Sequence, residues 1–141
     1  MTYIYSAIVQ SNFTANTDQL AVEITAPANR TLKIRKIRIT HGDGTATVTS
    51  DYYRRIKIVT ESVAGTGGGA YTPINTDGND TVSVATVNIN TGAFVPGTVS
   101  KTIDINSIHC TTDFSWQARD EDDKIIVLPS GIFGLIINPA N

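Results

Sequence analysis

The sequence predicts an all-β protein: a single-domain β-sandwich or barrel of about eight strands, jelly-roll-like in arrangement. Three observations lead there. β-Branched residues dominate, with 18 Ile, 11 Val and 20 Thr against 4 Leu; such side chains are stiff at χ1 and fit a pleated surface better than a helix. No window places apolar residues at i, i+3, i+4 and i+7 with helix formers between them. Short apolar runs that alternate with period 2 recur along the chain instead, parted by Gly, Pro, Asn and Asp clusters.

The elements follow in order. "TYIYSAIV" is an aromatic, β-branched opening strand, and "QSNFTANTDQ" is a polar loop. "LAVEITA" puts Leu20, Val22 and Ile24 on one face, and Pro27 marks a turn after it. In "TLKIRKIRITH", Leu32 and Ile34 have one parity and Ile37 and Ile39 the other. A strand of period 2 cannot keep both pairs inward without an extra residue, so a bulge or kink is expected near Arg35–Lys36. "YYRRIKIVTE" alternates Ile56 and Ile58 against Arg55, Lys57 and Val59. "TVSVATVNI" switches parity between Val82/Val84 and Val87/Ile89. "TVSKTIDINSI" aligns Val99, Ile103 and Ile105, and "TDFSWQA" alternates Phe114 with Trp116. "KIIVLP" and "GIFGLII" close the chain, joined through Pro129, Ser130 and Gly131. Residues 1–19 form an N-terminal strand and arm, and residues 20–141 a single sandwich domain; no repeat suggests a second.

Composition narrows the function. The chain has 141 residues, 40% hydrophobic and 17% charged, with net charge −2. That supports a core and does not suggest binding driven by bulk charge. Cys110 is the one cysteine, so no intrachain disulfide is expected, and with His41 and His109 it makes a poor zinc set. No run nears the ~18 apolar residues of a membrane span. The start, "MTYIYSAIVQSNF", lacks the basic and apolar regions of a signal peptide.

Four motifs invite chemistry. "VAGTGGGAYTP", Val63–Pro73, follows a strand as phosphate loops do. It lacks the lysine and the following helix that hold a phosphate, so it is expected to be a glycine-permitted connection, placed where subunits touch. "HGDG" at His41–Gly44 is turn chemistry. "DEDD" at Asp120–Asp123 is the best cation candidate, and otherwise a solvated hairpin tip. His109 and Cys110 are adjacent, which on a strand sends their side chains to opposite faces. No G-x-S-x-G elbow is present. No catalytic residue, cofactor or metal is expected, and the chain is read as a non-enzyme.

Charge is concentrated. Lys33, Arg35, Lys36 and Arg38, with Arg54, Arg55 and Lys57, hold seven of the eleven Lys and Arg. The first six are the expected partner-binding residues. They suit an acidic protein surface, or a neighbouring subunit's "RDEDD"; too few aromatics are interleaved for nucleic acid.

The segments "RTLKIRKIRITHGDG", "RRIKIVTESVAGTGGGAYTPINTD" and "WQARDEDDKIIVLPSGIFGLIIN" resemble a family of small β-rich structural proteins of tailed bacteriophages. The resemblance covers roughly residues 20–138: a basic strand, a "T-x-x-x-A-G-T-G-G-x-x-x-T-P" loop, and a closing hairpin with Pro and Gly at its turn. It implies a capsid decoration, or cement, protein on the virion surface, made in the host cytoplasm. Such a protein forms a homotrimer that binds across major capsid protein subunits, without direct nucleic-acid or membrane contact. The alternative is a tail, fibre or adhesion module binding carbohydrate or a host surface, with Trp116, Tyr52, Tyr53 and Tyr71 as stacking platforms.

Overall fold

The computed structural model of the chain describes residues 4–40, 52–76 and 85–140. Every regular element in them is a strand: β1 Tyr5–Ser6, β2 Gln19–Thr25, β3 Leu32–Ile34, β4 Lys36–Ile39, β5 Tyr53–Val63, β6 Gly69–Tyr71, β7 Ile74–Asn75, β8 Thr86–Ile89, β9 Thr98–His109, β10 Phe114–Gln117, β11 Ile125–Val127 and β12 Ile132–Ala140. The twelve segments outnumber the nine runs read from the sequence because β3 and β4 divide one predicted strand and β6 and β7 lie inside a predicted loop. "HGDG", Val82 and Val84 lie outside the described residues.

The strands build a β-sandwich-like domain. One layer is a six-stranded antiparallel sheet in the order β6-β8-β2-β12-β5-β9. The other consists of two short pairs, β11 with β3 and β10 with β4. Ile56, Ile58, Phe133, Leu135 and Ile137 from the sheet meet Ile37, Phe114, Ile125 and Val127 from the pairs. The N-terminal arm adds a third pair, β1 with β7, and packs Phe13 against this core.

The kink expected in the basic strand is present. β3 ends at Ile34, β4 begins at Lys36, and the Arg35 carbonyl between them accepts the Ala118 N–H at 2.9 Å. Leu32, Ile34, Ile37 and Ile39 all reach the core, and Lys33, Arg35, Lys36 and Arg38 are all exposed. The single break restores the inward parity. Phe114 and Trp116 also alternate inward as expected.

Three expectations are corrected. Leu20 does not share a face with Val22 and Ile24. The β2–β12 register shifts between Leu135 and Ile136, which turns Leu20 to the opposite side of the sheet. Val99, Ile103 and Ile105 face solvent rather than core, with Ile105 57% exposed. β9 is the sheet's edge, and its inward positions are Asp104, Asn106 and Ile108, opposite Ile58, Ile56 and Arg54. The last two apolar runs are not a hairpin. β11 pairs with β3 in one layer, and β12 pairs with β2 and β5 in the other. The Pro129–Ser130–Gly131 turn carries the chain between layers, with Ser130 at φ 59° and the Gly131 N–H bonded to the Leu128 carbonyl at 2.8 Å.

β12 is the central strand, which explains its unbroken apolar run. Phe133, Leu135 and Ile137 face the second layer, while Ile136 faces away and joins Leu20, Val59 and Phe94 in a separate small core. That outer core lies under the glycine-rich segment. The two connections, 64–68 and 91–97, are tied together by a Thr66–Val95 bridge, with N–H···O distances of 3.0 and 2.8 Å. A side chain on Gly65 would strike the Phe94 ring and Leu20, and one on Gly68 would strike the same ring. The glycines therefore let backbone lie flat on an aromatic ring of the same chain. That contact is intramolecular.

Candidate functional site

The kink that restores inward parity also aligns the cations. Lys33, Arg35, Lys36 and Arg38 stand along the outward face of the β3/β4 layer. Beside them in register are exposed Ile126 opposite Lys33, Gln117 opposite Lys36 and Ser115 opposite Arg38. The acidic turn touches one end of the row: Glu121 accepts from Lys33 Nζ at 3.4 Å and also pairs with Lys124. These bonds hold the fully exposed Glu121 carboxyl below the usual range, Lys124 first and Lys33 second. Asp120 spends one oxygen on the N–H groups of Asp122 and Asp123, at 2.9 and 3.2 Å. "RDEDD" thus complements the basic strand within its own subunit. Among the described residues, Arg35, Lys36 and Arg38 make no ion pair.

The structure does not bring Arg54 and Arg55 to this row. They lie on β5, in the other layer of the sandwich. Arg54 points into the protein and is 7% exposed. Its guanidinium donates to the carbonyls of Thr112, at 2.5 Å, and Thr40, at 3.4 Å, tying together the chain ends beside β4 and β10. Arg55 is exposed on the opposite outer face. Consecutive strands in sequence fall here in different layers, so proximity along the chain did not bring the six cations together.

Lys57 is engaged on that same outer face. It donates to Asp18 at 2.7 Å, and Asn138 donates to the other Asp18 oxygen at 2.7 Å. Burial raises the Asp18 pKa, but these two hydrogen bonds together with the Lys57 and Arg55 charges outweigh it and hold the carboxyl below its ordinary 3.8. A lowered carboxyl stabilises the fold above that value and loses its contribution as pH falls from there through the lowered value. Both side chains are partly exposed, so the contribution is about 1 kcal/mol or less. Asp18→Asn is expected to cost that much at pH 7 and less at pH 2, measured by urea unfolding at both.

The other motifs hold no reactive arrangement among the described residues. Cys110 is fully buried just past the end of β9, and its Sγ lies 3.9 Å from His109 Nδ1. The strand ends at His109, so the alternation expected to separate the two side chains does not continue. His109 Nδ1 is 2.8 Å from Thr111 Oγ1, and its ring meets Tyr53 edge-on at 5.9 Å. Trp116 packs on the core, Tyr71 OH accepts from the Ile8 N–H at 3.3 Å, and Tyr53 is 57% exposed. The described residues contain no cluster of three metal-ligating side chains.

The sequence reading missed two buried acids. Glu23 on β2 is 1% exposed and Glu61 on β5 is 5% exposed. They approach over β12 from either side, where Gly134, opposite both Glu23 and Val59, leaves room. A Cβ there would come within 3.3 Å of Glu61 Oε2 and 2.9 Å of Leu20. Each acid takes an N–H from the glycine-rich layer: Gly65 donates to Glu23 Oε2 at 2.6 Å, and Gly97 to Glu61 Oε1 at 2.9 Å. Glu61 Oε2 has no hydrogen-bond partner among the described residues. Burial, followed by the adjacent Glu23 carboxyl, pushes the Glu61 pKa up to about 7 against the opposing pull of the Gly97 N–H. One signal could have found the pair: Glu23 falls inside the apolar alternation of "LAVEITA", and Glu61 ends that of "IKIVTE".

Comparison with protein-family models, with curated proteins and with solved structures finds no match.

Proposed function

We propose that this chain is a non-enzymatic structural virion protein, a capsid decoration protein that stabilises a phage head by binding across major capsid protein subunits. The observation that carries this reading is the outward row of Lys33, Arg35, Lys36 and Arg38, three of which have no ion-pair partner among the described residues. The row suits an acidic protein surface. It stands on two short strand pairs packed on a six-stranded sheet, which holds the cations at set spacing. Arg54 belongs to the fold and is withdrawn from the docking set, while Arg55 faces elsewhere. The phage resemblance of the basic strand and the glycine loop supplies the virion setting.

The protein assembles as a homotrimer in this reading. Exposed Val99, Ile103 and Ile105 on the edge strand β9 provide an apolar surface for the subunit contact. Three basic rows on one trimer bind a repeating capsid lattice with avidity.

The double variant Arg35→Glu/Arg38→Glu tests the docking face. Exposed pairs contribute about 1 kcal/mol or less each, and each reversal adds repulsion. Occupancy on purified capsids is expected to fall by about tenfold or more, with circular dichroism unchanged. Attachment of the wild type also weakens with added salt. Wild-type occupancy by the folded double variant would overturn the docking face.

A further inference from the structure

We propose that Glu23 and Glu61 form a proton-dependent latch that clamps the glycine-rich layer, residues 64–68 with 91–97, onto the outer face of the six-stranded sheet, and that loss of one shared proton releases it. The geometry points to this. The acids belong to the sheet and their donors, Gly65 and Gly97, to the layer above it. β2 and β5 are both neighbours of β12, so they lie two strand spacings apart, about 9.5 Å. Glu23 stands opposite Gly134 and Glu61 opposite Ile132, so the two side chains meet on a diagonal that Gly134, having no side chain, leaves open. The oxygen left without a donor, Glu61 Oε2, borders the Gly134 gap.

One proton between the two carboxyls supplies the missing hydrogen bond. Without it, two like charges stand in a water-poor site with one N–H each, an arrangement that protein interiors disfavour. Water relieves this only if the layer lifts. Leu20, Val59 and Ile136 then lose Phe94, so release also uncovers apolar surface.

No other charge on the surrounding elements compensates. β2 contributes Glu23 alone, and β12 has no titratable side chain. β5 adds Arg55 and Lys57 further along the same face, with Lys57 held by Asp18. β8 sets Asn88 opposite Glu23, and β9 sets Val99 opposite Glu61, with Lys101 opposite Thr60 and exposed. His109 stands at the far end of β9, opposite Tyr53. Residues 64–68 and 91–97 contain no titratable side chain.

Amide exchange on the intact protein from pH 5 to 9 is the test, read as protection factors at Gly65 and Gly97. A group whose pKa is raised in the fold stabilises it below its unfolded value and loses that contribution as pH rises through the folded value, here about 7. Protection at the two glycines is therefore expected to fall by up to about tenfold per pH unit between the ordinary 4.5 and about 7 and to level off above it, while the Leu135 amide in the sheet stays protected. In Glu61→Gln the side-chain amide replaces the proton as donor and cannot lose it, so the decline is expected to vanish. Glu23→Gln is expected to abolish it in the same way. Since all three proteins keep both histidines, His41 and His109 cancel in the comparison. Flat wild-type protection between pH 5 and 7 overturns the latch, and so does an undiminished slope in either Gln variant. Should one variant fail to fold, the wild-type series and the other variant decide.

Discussion

Phe94→Ala is expected to detach the glycine-rich layer while the main core stays folded. Phe94 is 1% exposed and is the largest member of the outer core, with Leu20, Val59 and Ile136 beneath it. Truncating a buried Phe costs about 3–5 kcal/mol, through lost transfer energy and the cavity left behind. The cavity would open directly under Gly65 and Gly68, whose backbone lies against the ring. Glycine cannot fill it, and the remaining ties to the sheet are few: the two glutamate bonds, the Leu20 N–H to the Phe94 carbonyl at 2.9 Å, and the Gln19 amide to the Gly92 carbonyl at 3.4 Å. A domain holds only about 5–15 kcal/mol in total, but the larger core is on the other side of the sheet and does not use Phe94. Exchange protection at Gly65 and Gly97 should therefore collapse, while the near-UV signal of Trp116 in the main core persists. Ile105→Ala, at an exposed edge position, should stay within about 0.5 kcal/mol of wild type in monomeric conditions. A Phe94→Ala protein whose glycine amides remain protected would show that the layer is held by something other than the ring.

Gly97→Ala should cost about as much by a different route. The connection crosses so close to the end of β5 that a Cβ on residue 97 would overlap the Val63 carbonyl oxygen and come within 2.7 Å of the Ala64 carbonyl carbon and oxygen. These are backbone atoms, and the neighbouring Thr66–Val95 bridge holds them in place. Overpacking of this kind costs about 1–3 kcal/mol. Moving the backbone to relieve it stretches the Gly97 N–H bond to Glu61 at 2.9 Å, and a hydrogen bond to an uncharged carboxyl contributes about 0.5–1.5 kcal/mol. The combined loss is about 2–4 kcal/mol by urea unfolding at pH 6. Gly92→Ala provides the contrast. Its φ of 146° disfavours a side chain, yet no atom lies within 4 Å of the new Cβ. Its cost is backbone strain alone, about 1–3 kcal/mol, and it should leave the Glu61 contact intact. Equal costs for the two substitutions would mean that the crossing relaxes more freely than its backbone contacts imply.

Much of the fold was legible from local pattern. The parity switch in "TLKIRKIRITH" required a break near Arg35, and the break sits there because four isoleucine and leucine side chains must share one core. Phe114 and Trp116 turned inward as their spacing demanded. Other readings failed where a face had to be assigned. Val99, Ile103 and Ile105 have the apolar content of a core strand, but β9 is an edge, and its inner positions carry Asp104 and Asn106. Arg54 and Arg55 look alike in sequence; one anchors two carbonyls in the interior and the other meets solvent. The two carboxyls went unnoticed because each looks like an ordinary polar position until β12 is placed between their strands.

The sequence by itself determined the all-β class, the kink in the basic strand and the outward row of Lys33, Arg35, Lys36 and Arg38. All three follow from β-branched composition and period-2 alternation, which are local properties of a pleated chain. Only the tertiary structure decided which sheet face is covered, which strand is central and which is the edge, and that Glu23 and Glu61 meet beside Gly134 under the N–H groups of Gly65 and Gly97. Alternation says which residues share a side. It does not say what lies against that side, because that depends on strand order and layer packing between segments far apart in the chain.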